Sequence, residues 1–312
     1  MSVPDGFEDL RDDADIEAAL VALKERNPGL RRAVVKLNDS FSGEGNAIFR
    51  YPETGHLGDA VRTTLPNVEF SVPWETWDDY HSKFQRMGGI AEEFLVAPQK
   101  MSPSVQLRSD PHGDVVPIST HDQILGGPSG QVFLGCLFPA ADDYRMLIHD
   151  AAMRIGKVLA AKGVVSRFAV DFLVTRESDD LPWKAWALEI NLRMGGTTHP
   201  YLALQFLTGG QLDPGTGLFH SPRGSPKFYR ATDNLQSDTF RGLLPEDLIE
   251  IVTINSLHYS HNSESGVLFH LIGALSEYGK LGMTAIGNTR EEVEAIYGKT
   301  LRILDHEAGM GR

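Results

Sequence analysis

The sequence predicts a mixed α/β (α+β) fold, and three observations predict it. Helical and strand periodicities alternate from residue 14 onward, Ser102 to Phe138 carries strand signals separated by turns, and no internal repeat or low-complexity tract interrupts the pattern. With 312 residues, 41% hydrophobic and 23% charged, the chain has ordinary globular composition and room for roughly two or three packed units.

The first helix is "ADIEAALVALKER" (14–26), which sets Ile16, Ala19, Leu20 and Leu23 on one face and stops at Asn27-Pro28-Gly29. The strand "RAVVKL" follows, then the loop "NDSFSGEG" and the strand "NAIFRY", a strand–glycine loop–strand unit unlike the strand-to-helix entry of a dinucleotide fold. Residues 76–87 predict a helix with Trp77, Tyr80, Phe84 and Met87 on one side, and "GIAEEFLV" reads as the next strand. "SVQLRS", "DVVPISTHDQIL" and "QVFLGCLF", divided by "DPHGD" and "GGPSG", predict an antiparallel meander. Residues 142–162 predict a long helix with Leu147, Ile148, Ala151, Ile155, Val158 and Leu159 as its buried stripe, ended by Gly163. "RFAVDFLV" and "WKAWALEINL", joined by the polar "TRESDDLP", should pair as a hairpin. Past residue 210, "GGQLDPGTGLFHSPRGSP" reads as a boundary or a long loop, and "GVLFHLIGALSEYG" is the most helical piece of what remains.

Twenty-nine Lys and Arg against 42 Asp and Glu give a net charge of −13, a field that repels an extended phosphate backbone and argues against nucleic acid as partner. A small anion in a local basic pocket is still compatible. The lone Cys136 lies in an apolar run, reads as a buried strand residue and suits a reducing compartment. The acidic N-terminus lacks the basic start and apolar core of a secretory signal, and no run approaches the ~20 apolar residues of a membrane helix. The expectation is a soluble, cytoplasmic protein with no membrane partner; oligomeric state is open, a homo-oligomer included.

The chemistry concentrates in "LEINLRMGGTTHP" (188–200). Side chains alternate on a strand, so Glu189, Asn191 and Arg193 share a face, and Asp171 becomes their cross-strand neighbour when the hairpin pairs. A hard cation such as Mg²⁺ takes few oxygen ligands from protein and the rest from phosphate and water, which two carboxylates and an amide can begin to supply. A polar strand edge would carry the same residue types, but in the otherwise apolar "WALEINL" paired carboxylates repel unless a cation offsets them. Gly195-Gly196-Thr197-Thr198 then leads to a helix with Pro200 in its first turn and Thr198 or His199 as cap, where free amides and Arg193 would attract an anion.

Upstream, Lys36 ends an apolar strand, where an ammonium is costly unless it reaches an anion, and Gly43 and Gly45 let backbone amides approach phosphates. An edge lysine beside a hairpin turn is the alternative. Glu92 and Glu93 are solvated charges on one reading, while Glu93 and Leu95 offer backbone groups to an adenine edge on another. Other motifs fail. "YGKT" (297–300) has Val293 where a phosphate loop needs glycine; His258, His261 and His270 have no cysteine to join them at zinc; and no serine elbow or supported cysteine–histidine pair offers a nucleophile.

The lysine strand, glycine loop, "EEF", Asp strand and "EINLR", in that order, resemble the ATP-grasp superfamily of carboxylate–amine ligases. Within it, "RAVVKLNDSFSGEGNAIF", "EINLRMGGTTHP" and "GVLFHLIGALSEYGKLGMTAIGNTREEV" look like the pheganomycin-type peptide ligases over nearly the whole chain. The resemblance implies an ATP-grasp fold of two α/β subdomains clamping ATP, 1–97 with the lid and 98–212 with the metal site, plus a C-terminal α/β extension at 213–312. It implies ATP and Mg²⁺ as cofactors, with Lys36 on the phosphates and Ser42, Gly43, Glu44, Gly45 and Asn46 covering them. Glu92, Glu93, Phe94 and Leu95 then form the adenine hinge, and Asp171, Glu189 and Asn191 hold the metal. Arg193 stabilises an acyl phosphate, with Gly195, Gly196, Thr197 and Thr198 around the substrate. The implied substrates are a small-molecule or peptide carboxylate and an amine, joined as an amide with release of ADP and phosphate. An ATP-grasp kinase, a thioester-forming ligase or an idle nucleotide-binding scaffold are the rivals. The family's ribose-binding acid has no equivalent in "APQKMSPSV", and about thirty-five residues precede Lys36, so the expectation is a chain without the usual N-terminal domain.

Overall fold

The computed structural model describes residues 1–40, 44–127 and 130–310, and it divides into two compact units, which are taken in turn. The first comprises Met1–Lys100 with Leu125–Phe133. Its strands β1 (Gly6–Leu10), β2 (Arg32–Leu37), β3 (Asn46–Arg50), β4 (Glu69–Phe70) and β5 (Gly89–Glu93) form one sheet in the order β1-β5-β2-β3-β4. Helices α1 (Asp13–Arg26), α2 (Leu57–Thr64) and α3 (Trp77–Met87) supply its apolar partners. Ile16, Ala19, Leu20 and Leu23 of α1 and Tyr80 and Phe84 of α3 bury against Ala33, Val35, Ala47, Phe49 and Ala91, the arrangement a 3.6-residue stripe facing a two-residue alternation produces. Asp12 and Thr76 cap α1 and α3 by accepting from the amides of Asp15 and Asp79.

The short β6 (Gln99–Met101) follows, and the second unit comprises Met101–Ile124 with Leu134–Arg312. Strands β7 (Pro103–Ser109), β8 (Val115–Gly126) and β9 (Val132–Phe138) realise the predicted meander. After α4 (Asp142–Ala161), β10 (Ser166–Arg176) and β11 (Lys184–Asn191) pair antiparallel as expected, and β10 also lies antiparallel to β7. Phe168, Val170, Phe172 and Val174 of β10 pack with Tyr144, Ile148, Ala151 and Ala152 of α4, which turns the alternate positions of the strand to the opposite face. The buried stripe of α4 is rotated from the expected one: Leu147 and Val158 are exposed, and Tyr144 and Gly156 take their places.

Helix α5 (Thr198–Thr208) is followed by β12 (Gln211–Asp213) and β13 (Leu218–His220), a tight hairpin where the sequence suggests a long loop. Asp213 makes the turn by accepting from the amides of Gly215 and Gly217 through its side chain and backbone. Then come β14 (Pro226–Gln236), α6 (Pro245–Ile254), β15 (Gly266–His270), the one-turn α7 (Leu275–Tyr278), β16 (Lys280–Gly287) and α8 (Arg290–Met310). The stretch "GVLFHLIGALSEYG" is thus divided: its first part is β15, which pairs with β16 and starts at Gly266 with φ +139, a conformation a helix cannot hold, while its second part is helical, a 3-10 turn at Ile272–Ala274 running into α7. The long helix of this region is α8, whose residues include the "YGKT" motif, so that motif is helical and forms no phosphate loop.

Candidate active site

In the first unit, Lys36 stands at the end of β2 opposite Asn46 of β3 and Ile90 of β5. Its ammonium pairs with the Glu92 carboxylate, and both side chains are largely withdrawn from solvent, at 16% and 10% exposure. Glu92 is therefore no solvated charge; an apolar sheet face holds both members because each offsets the other's desolvation. Glu93 is tied at both ends to Asp5, donating its amide to the Asp5 carbonyl at 2.8 Å and accepting the Asp5 amide at 3.1 Å. The Phe94 amide donates to Arg32, whose guanidinium lies 4.0 Å over the Phe94 ring. At Leu95 the ladder has ended, and among the described residues its N–H meets no backbone acceptor, the condition a hinge amide needs to meet a base edge.

Of the expected lid, Ser42 and Gly43 lie outside the described residues. Glu44 and Gly45 form the turn into β3. A Cβ at Gly45 would fall 2.4 Å from the Ser40 Cβ, while its carbonyl accepts from the Leu37 amide and the Tyr80 hydroxyl, so this glycine is required by the turn itself. The Asn46 amide donates to Gln131 at 2.9 Å, bringing the stretch after "GGPSG" to the base of the lid strand.

In the second unit, Asp171 and Glu189 are direct cross-strand partners on β10 and β11, with a register shift immediately after them. Asn191, opposite Ala169, reaches back and donates Nδ2 to the Asp171 Oδ2 at 3.0 Å, which leaves its own carbonyl oxygen outside that bond. Burial pushes the Asp171 carboxyl up to about 6; the hydrogen bond from Ser104 opposes the rise, the Glu189 charge adds to it, and Arg193 offsets it. Asp171, Glu189, Asn191 and Arg193 thus act electrostatically on one place. Among the described residues no group of three or more His, Cys, Asp or Glu side chains gathers for a metal, so the donor set here is two carboxylates and an amide. That set fits a hard, oxygen-seeking cation, and the burial and the Glu189 charge that raise the Asp171 carboxyl are the kind of cost a cation removes.

The helix start beyond Arg193 differs in detail from expectation. Neither Thr198 nor His199 caps α5; Thr197 takes that position, and it makes no side-chain cap bond. The hydroxyls of Thr197 and Thr198 are buried and turned to Gln106 of β7, whose amide donates to Thr197 and whose carbonyl accepts from Thr198 at 3.4 Å. The Gly195 amide donates to the Thr198 hydroxyl at 3.2 Å, and the Thr198 amide returns to the Gly195 carbonyl at 3.0 Å. What this corner can offer a ligand is backbone N–H, fixed in place by the threonines and by Gln106. Gly196 is exposed beside it. Ser104 and Gln106 escape a reading of the sequence; their one signal is polarity at buried positions of "SVQLRS".

The family model described as IQCH-like, ATP-grasp matches residues 55–215, and the PGM1 C-terminal domain model matches residues 247–300. The L-propargylglycine–L-glutamate ligase of Streptantibioticus cattleyicolor is 32% identical over 301 residues, covering 94% of this chain and 58% of that protein. IQ motif-containing protein H of Danio rerio is 26% identical over 149 residues, 48% of this chain and 14% of that protein. The chain thus spans little more than half of the first relative and a small part of the second. Among solved structures, biotin carboxylase from Campylobacter jejuni in its β,γ-ATP complex superposes with a TM-score of 0.60 at 13% identity, covering 99% of this chain and 66% of that one, a likeness of fold.

Proposed function

This chain belongs to the IQCH-like ATP-grasp family, and from that premise we propose that it is an ATP-dependent ligase joining a carboxylate to an amine through an acyl phosphate. The observation that carries the proposal is the grouping of Asp171, Glu189 and Asn191 beside Arg193 and an uncapped helix start. The likeness to a relative that is itself an amino-acid ligase supports it.

Asp171, Glu189 and Asn191 would hold Mg²⁺, which when bound neutralises phosphate charge. Lys36, paired with Glu92, would meet the phosphates of ATP, with Glu44, Gly45 and Asn46 in the lid and the Glu93–Leu95 backbone along the adenine. The substrate carboxylate attacks the terminal phosphorus and ADP leaves. The amine then adds to the carbonyl carbon, phosphate departs, and the amine proton passes to solvent. Arg193 and the Thr197 amide at the helix start would stabilise the oxyanion of that second step. The protein supplies position and charge but no covalent nucleophile, which agrees with the burial of its single cysteine.

Glu189→Gln should reduce ADP release by at least about 100-fold while the far-ultraviolet circular dichroism is retained. Hydroxylamine in place of the amine should give a hydroxamate without coenzyme A. A phosphorylated product that hydroxylamine cannot trap would make the chain a kinase, and a hydroxamate that appears only with coenzyme A would make it a thioester-forming ligase.

A further inference from the structure

On the face of the second unit's sheet that carries Asp171, two arginines oppose each other: Arg108 of β7 is the direct cross-strand partner of Arg167 of β10. Like charges in that position destabilise a strand pair. A chain with 42 acidic residues has ample means to pair them, yet neither forms an ion pair or a hydrogen bond among the described residues. The Nη1 of Arg167 is buried with no acceptor at all. A buried guanidinium nitrogen without an acceptor forfeits a charge-assisted hydrogen bond, so its persistence calls for a ligand or a cost.

The two arginines line a cavity of about 210 Å³ together with Tyr201 and Gln205 of α5, Gln211 of β12 and Ile118 of β8. Tyr201 and Gln205 are one helical turn apart and present a ring and an amide to the same space. Aliphatic wall, two guanidinium groups and two amides make a site for a planar oxyanion with a short carbon chain. Its position relative to the candidate active site follows from the elements that build both. Arg167 precedes Asp171 by four strand residues, roughly 13 Å at ~3.3 Å each. Along α5, Tyr201 and Gln205 lie three and seven residues beyond Thr198, or about 4.5 and 10 Å at ~1.5 Å per residue.

We infer that this cavity receives a second carboxylate, carried by a substrate whose reacting group lies at the start of α5. This rests on the ligase reading and narrows it: the substrate is an acidic amino acid or a short peptide with a free C-terminus, and Arg108 and Arg167 are its specificity residues. Both arginines are needed because one planar guanidinium satisfies one edge of a carboxylate and leaves the other to its neighbour.

Calorimetric titration of the full chain, without ATP turnover, tests the site. The probes are L-glutamate against L-glutamine and glycylglycine against its C-terminal amide, in wild type, Arg108→Gln and Arg167→Gln, with Mg-ATP binding as the check that each variant is folded. At least one acid should bind about 10- to 100-fold more tightly than its amide, and each substitution should erase that preference. An acid–amide preference that survives both substitutions, or equal binding of acid and amide in wild type for both pairs, would overturn the assignment. ADP release with the same probes is scored separately. Arginine-dependent binding without ADP release would sink the ligase reading and leave the site standing; ADP release that ignores both substitutions would do the reverse.

Discussion

Lys36 and Glu92 show what a single buried pair costs and provides. An ammonium at the end of an apolar strand is tolerable only with its charge answered, and Glu92 answers it within the same sheet. Glu92→Ala should therefore destabilise the first unit by about 2–4 kcal/mol, because it strands a cation that the wild type balances. Lys36→Met with Glu92→Leu should recover most of that stability while abolishing nucleotide binding. Urea denaturation of the two variants measures the first effect and calorimetry with Mg-ATP the second. A second pair behaves differently with pH. Lys227 is fully buried and lies 2.7 Å from Glu264, which also accepts from Ser221 at 2.8 Å, and this holds the Glu264 carboxyl below its ordinary value. A depressed carboxylate stabilises the fold fully above the unfolded value near ~4.3 and loses that contribution as pH falls through the lower folded value. The urea midpoint of the second unit should accordingly fall below about pH 4, and Glu264→Gln should flatten that slope while lowering the plateau at neutral pH.

The elements that the sequence disclosed are those with one dominant period. Helix α1, the β7–β8–β9 meander and the β10–β11 hairpin follow from stripes and alternations that a single neighbour completes. The segment Gly266–His270 shows why others did not: its apolar run satisfies a helix or a strand, and pairing with β16, together with the φ of Gly266, decides for the strand, while Leu275–Tyr278 is helical as expected. That decision is testable. A Cβ at Gly266 would fall 2.5 Å from the His258 carbonyl oxygen, so Gly266→Ala should cost on the order of 2–3 kcal/mol, read from the denaturation midpoint. Asp171, Glu189 and Asn191 were legible as neighbours because strand alternation joins Glu189 to Asn191 and the hairpin pairing brings Asp171 opposite Glu189. Gln106 was not, since nothing in "SVQLRS" tells that two threonines ninety residues later will turn to it. Gln106→Leu removes the side-chain partner of both buried hydroxyls, leaving Thr198 only the bond from the Gly195 amide, and should cost about 1–3 kcal/mol, with a larger KM for the carboxylate substrate and an unchanged KM for ATP. Loss of ATP affinity in that variant would mean the corner serves the nucleotide instead.

At the scale of the whole molecule, the chain contains two units with separate cores, Ile16, Leu20, Phe49 and Phe84 in one and Val105, Ile148, Phe168 and Phe172 among those of the other. The first core includes residues of α1 and α3 and the second residues of α4, so each unit carries helices of its own against its sheet. Unfolding should then depart from a single cooperative step, and the four tryptophans divide so as to show it. Trp74 and Trp77 belong to the first unit, Trp183 and Trp186 to the second. A chain with Trp74→Phe and Trp77→Phe reports the second unit alone, and one with Trp183→Phe and Trp186→Phe the first. Placed in these backgrounds, Glu92→Ala should shift only the first transition and Gly266→Ala only the second. Coincident transitions that move together under either substitution would show that the two cores melt as one, and the effects of Lys36, Glu264 and Gly266 would then have to be read as contributions to a single folding equilibrium.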